Sequence, residues 1–75
     1  MKHYNLLPNG CGWWENQECV DACGSLYPFI TKEKNAIAYA KSVKKRFPNV
    51  EFELTEGDEW GNVKLVMVLW ETHIA

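Results

Sequence analysis

Seventy-five residues, 47% of them hydrophobic and ten of them aromatic, suit one small packed domain; they leave no room for two cores and argue against disorder. A net charge of -2 and a pI near 5.6 do not suggest a general electrostatic affinity for nucleic acid or anionic membrane. The charges are nonetheless segregated. Residues 32–46 carry six basic side chains against Glu33 alone, whereas residues 51–59 carry Glu51, Glu53, Glu56, Asp58 and Glu59 with no base.

The opening MKHYNLLPNG lacks the apolar run of a signal peptide, and the longest apolar stretch, Leu65 to Trp70, is far short of a bilayer span. A cytoplasmic protein with no membrane partner is therefore expected (in the host's cytoplasm, if a phage encodes it), with its three cysteines reduced. His3 to Leu7 predicts a first strand with Tyr4 and Leu6 on one face. Pro8-Asn9-Gly10 signals a turn. Residues 8–24 then form a Cys/Trp-rich loop or short helix: Asn16 is placed to cap residues 17–23, and Gly24 to end them. Such a helix puts Cys19, Val20 and Cys23 on one side. Ser25 to Ile30 contains Pro28, which confines it to an edge strand or a plain lead-in.

Thr31 to Phe47 predicts the main helix, with Thr31 as its N-cap and Ala36, Ala40, Val43 and Phe47 on one face. Lys34, Lys41 and Lys45 face the other way, and Pro48-Asn49 stops the helix. Val50, Phe52 and Leu54 alternate with Glu51, Glu53 and Thr55, a half-buried strand. Gly57 to Asn62 is a hairpin loop. In Val63 to Glu71, Val63, Leu65, Met67 and Leu69 line one face and Val66, Val68 and Trp70 the other, the pattern of a central strand.

These elements assemble into one α+β domain over residues 1–75, β-α-β-β, with one main helix (31–47) on a mainly antiparallel three-stranded sheet that includes the 50–71 hairpin. The last strand is expected in the middle, with the first and second strands parallel on either side, joined by a right-handed helical crossover. Val66, Val68 and Trp70 form a second-face patch. The Cys/Trp-containing N-terminal segment is expected to cover it; the alternative cover is a second copy, a homodimer through that face.

No catalytic motif or cofactor fingerprint is present, and a non-enzymatic protein is expected. Cys11, Cys19 and Cys23 lack the C-x2-C knuckle that points two sulfurs at one metal. Cys11, Cys19 and Cys23, with His3 or else His73 as the fourth ligand, could hold zinc as a structural ion, against the plainer readings of buried free thiols or one disulfide. Only His3 and His73 could serve a nucleophilic cysteine as base, and nothing in the spacing brings them to one. Four tryptophans are more than so small a core encloses, and Trp60 lies in a hairpin loop between acidic residues and Gly61, a placement typical of protein-interface hot spots. The alternatives are a ring folded over the sheet end and ordinary solvated charges.

From Thr31 to Glu71 the chain shows a T-x-E start, an Ala-rich helix ending in FPNV, a Glu-rich strand, a Gly/Trp loop and an apolar strand. In layout this resembles the compact α-β-β bodies of small phage and mobile-element proteins that block host or defence machinery, anti-CRISPR inhibitors among them. The resemblance covers about half the chain and implies an inhibitor that occludes a surface of a larger protein or nucleoprotein complex. The residues expected to bind protein are Trp60 with Glu56, Asp58 and Glu59, and Lys34, Lys41 and Lys45 on the helix. The second reading is a small nucleic-acid-binding regulator using that basic helix. The third is a zinc-stabilised structural module.

Overall fold

Apolar side chains at every second position need a sheet to bury them, and those at every third and fourth a helix. The computed structural model, which describes residues 2–9 and 12–69, places both periods as an α+β fold. Its elements are β1 (His3–Asn9), a single 3-10 turn (Trp13–Glu15), α1 (Gln17–Ala22), β2 (Gly24–Ser25), α2 (Glu33–Arg46), β3 (Glu51–Gly57) and β4 (Val63–Leu69). The sheet has four strands in the order β2-β1-β3-β4, and every pairing is antiparallel.

The strand order corrects the expected one. β3 lies between β1 and β4, and β1 runs antiparallel to β3. The cause is β2, a fourth strand of two residues, which pairs Ser25 with Asn5 and Gly24 with Leu6. It reverses the chain before α2 begins. The helical crossover therefore joins β2 to β3, which are parallel to each other with β1 between them.

β4 is an outer strand, and its faces are not those its sequence suggests. Phe52 pairs with Leu69 and Leu54 with Met67, but Thr55 pairs with Leu65 and Glu56 with Lys64; the register slips between Leu54 and Thr55. A one-residue slip exchanges the faces of everything beyond it. Met67 and Leu69 thus share the helix-covered face with Phe52 and Leu54, and Val66 also packs against the core. Leu65 and Val63 turn to the open face with Val68. The expected patch of Val66, Val68 and Trp70 is corrected accordingly: Val68 belongs to it, Val66 does not, and Trp70 lies outside the described residues.

The core is enclosed by Tyr4 and Leu6 of β1, Phe52 and Leu54 of β3, Leu69 of β4, and Ala36, Ala40 and Val43 of α2. Full burial of each large side chain here is worth about 1.5–3 kcal/mol. Cys19 and Ala22 of α1 join the same cluster, and Tyr39 Oη of α2 donates to the Ala22 carbonyl at 2.7 Å. The N-terminal segment therefore lies beside α2 on one face of the sheet. This corrects the expectation that it would cover the other. The small, wholly enclosed Ala36 and Ala40 let α2 lie close on β1 and β3.

Asn16 caps α1 as expected, accepting from the amides of Glu18 and Cys19 at 3.0 and 3.4 Å. Gly24 follows its last residues at φ +100°, a conformation that favours glycine. α2 begins later than expected. Lys32, not Thr31, is its N-cap, and no side chain bonds the free amides there. At its other end Lys44 Nζ donates to the carbonyls of Pro48 and Val50 at 2.7 and 2.8 Å, tying the helix to the start of β3.

Candidate protein-binding surface

Cross-strand register arranges the two faces of the sheet in rows. On the helix side run Pro8–Phe52–Leu69, Leu6–Leu54–Met67 and Tyr4–Glu56–Lys64. On the open side run Leu7–Glu53–Val68, Asn5–Thr55–Leu65 and His3–Gly57–Val63. No described helix lies over the open side. Leu65 is 52% exposed and Val63 69%, and Leu7 is exposed as well. The result is an apolar strip along β4 beside the carboxylates of Glu51 and Glu53.

The strip leads into the β3–β4 loop, which carries Trp60, 83% exposed. Asp58 builds this loop. Its Oδ1 accepts from the amides of Trp60 (2.9 Å) and Asn62 (3.0 Å), and its Oδ2 from Asn62 Nδ2 (3.1 Å). The side-chain and backbone bonds from Asn62, with that from Trp60, hold the Asp58 carboxyl below its usual pKa. Gly61 supplies φ +86°. Trp60 is thus presented on a braced loop, and Asp58 acts as its brace. Glu59 is exposed beside it.

Glu56 is not part of this surface. It lies on the helix side and is 7% exposed. Tyr4 Oη donates to its Oε1 at 3.0 Å, and the ammonium groups of Lys2 and Lys64 lie 3.5 and 3.6 Å from its Oε2. Burial pushes the Tyr4 hydroxyl up to about 12, with the Glu56 hydrogen bond and charge adding to it. The parity of Phe52, Leu54 and Glu56 was the signal, present in the sequence, that puts Glu56 inside.

Lys34, Lys41 and Lys45 are exposed on α2, on the side of the molecule away from the open sheet face. Trp60's sheet face and this basic strip therefore cannot share one flat contact. Of the remaining bases on the helix, Lys44 is engaged at the helix end, and Arg46 lies 3.6 Å from Glu18 and stacks over Phe47.

The zinc set is divided by the sheet. Cys19 is wholly enclosed on the helix side and Cys23 is half-buried nearby; both are free thiols. Burial, reinforced by Cys19, pushes the Cys23 thiol up to about 12. His3 lies on the open face, stacked on Tyr27 at 4.3 Å between ring centroids. Cys11 and the alternative ligand His73 lie outside the described residues, among which no cluster of three potential metal ligands occurs.

One exposed group was not singled out by sequence: Phe29, 91% exposed at the end of the Tyr27–Phe29 turn. Its neighbour Pro28 pointed to an edge strand or a plain lead-in, and nothing in the pattern showed a turn or which way the ring faces. No described helix is long and apolar enough to cross a membrane. Compared with known proteins, the chain matches no family model, no curated protein and no solved structure.

Proposed function

We propose that this chain is a non-enzymatic protein-binding module that docks the Trp60 loop and the adjoining sheet face on a larger protein or nucleoprotein complex, and so occludes that surface. The observation that carries this reading is an exposed tryptophan on a loop already held by three hydrogen bonds to Asp58. A large ring on a fixed support binds with little ordering cost. The apolar strip of Val63, Leu65 and Val68, beside Glu51 and Glu53, favours a partner surface that is apolar at its centre and basic at its margin. The most concrete form is an inhibitor of host or phage-defence machinery, supported by the layout of residues 31–71.

The test is affinity capture of partners by the purified, tagged chain, with and without nuclease, beside Trp60→Ala and Lys41→Glu/Lys45→Glu variants. A discrete protein that survives nuclease, disappears with Trp60→Ala and persists with the lysine reversals is the expected result. Partners that vanish with nuclease and with the lysine reversals would instead make the chain a nucleic-acid binder acting through α2.

A further inference from the structure

Incomplete burial concentrates on β4. Six of its seven residues are apolar, yet only Leu69 is buried, whereas β1 buries Tyr4 and Leu6 and β3 buries Phe52, Leu54 and Glu56. Among the described strands β4 has a neighbour on one side only. The usual defences of such an edge, a charge at Lys64 and the bulge, fall in its first half, and from Val66 to Leu69 it holds no charge and no proline. We infer that this C-terminal half of β4 is a self-association edge, pairing antiparallel with β4 of a second copy to continue the sheet across a two-fold axis.

Register and charge select the arrangement. Residues that pair must share a face, so Met67 and Leu69, both on the helix side, face each other's counterparts, and the axis passes beside Val68. An axis on the other side of the bulge would set Lys64 against its own copy, which is unfavourable. Stacking the two open faces instead would bring Glu51 and Glu53 of both copies together in a low-dielectric contact. Edge pairing keeps the two Glu53 side chains three strand spacings apart, about 14 Å. That exceeds a screening length of about 8 Å at physiological salt. An uncharged apolar strand meeting its own copy satisfies the open backbone groups and covers Met67 and Val68 together.

This goes beyond the binding reading, and the two fail separately, because the dimer is read on the purified chain with no other protein present. Sedimentation equilibrium across micromolar concentrations is expected to give twice the 8.7 kDa chain mass. Val68→Lys should return it to a single chain with unchanged far-ultraviolet circular dichroism, while Leu7→Lys, on the same open face but two strands inward, should leave the dimer intact. With oxidised glutathione, Val68→Cys should cross-link two copies, since facing Cα atoms lie about 4.5–5.5 Å apart in such a pair. Leu65→Cys should not, because its counterpart is displaced by about 20 Å along the strand. A single-chain mass throughout, whether because residues 70–75 or another protein's strand serve that edge, overturns the inference. So does a dimer lost with Leu7→Lys, which would be face-to-face.

Discussion

Glu56 shows how a single position divides between surface chemistry and folding. Counted among the acidic residues of 51–59 it looks like a contact charge; in its row it is the polar end of the core, joined to Tyr4, Lys2 and Lys64. Burial alone would raise its pKa. The Tyr4 hydrogen bond and the two lysines outweigh that and hold it below its ordinary value of 4.5. A carboxyl whose folded pKa is depressed contributes stability that is present above the unfolded pKa and lost as pH falls through the folded one. The urea midpoint should therefore fall on acidification below about pH 4.5, and Glu56→Gln should flatten that fall. Glu56→Lys should lower the midpoint at neutral pH, whereas Glu51→Lys, at an exposed position of the same strand, should leave it nearly unchanged. Equal effects of the two reversals would place Glu56 at the surface after all.

Among elements, legibility depended on whether the deciding interaction was local. Asn16 starts α1 as read because a cap acts within one turn, and Gly24, at positive φ, opens β2 just past its end. The alternating β3 was equally plain. β4 was misread because its register slips against β3 between Leu54 and Thr55, which no pattern within β4 encodes. β2 escaped because two residues cannot show a period. The start of α2 moved from Thr31 to Lys32, which leaves that end without a side-chain cap. Lys32→Ser should therefore stabilise the fold by about 1 kcal/mol, and Asn16→Ala should cost about the same. Thermal unfolding of both variants checks this, and the signs should be opposite. A destabilising Lys32→Ser would mean that the lysine does more at that end than its helix position accounts for.

Across the whole molecule, the sheet is a partition, and the candidate sites fall on one side or the other of it. The class of fold was legible from the chain; that the second face would lack the N-terminal segment as its cover, and which residues share a side, were not, because both depend on strand order and on where α1 packs. The consequence is sharpest for the cysteines. Cys19 and Cys23 lie with α1 on the helix side, His3 on the open side, and a metal cannot take ligands through a hydrogen-bonded sheet. The Cys23 thiol, raised by burial and by Cys19, remains protonated at neutral pH, and thiolate is the form that binds metal or attacks an alkylating agent. Chelation should thus leave the unfolding midpoint where it is, and iodoacetamide should modify Cys19 and Cys23 only after denaturant is added, as read by peptide mass. A chelator-induced drop in the midpoint, with zinc released on thiol modification, would mean that these two sulfurs meet a metal with ligands other than His3, and the zinc-stabilised module would displace the binding module as the reading of the N-terminal segment.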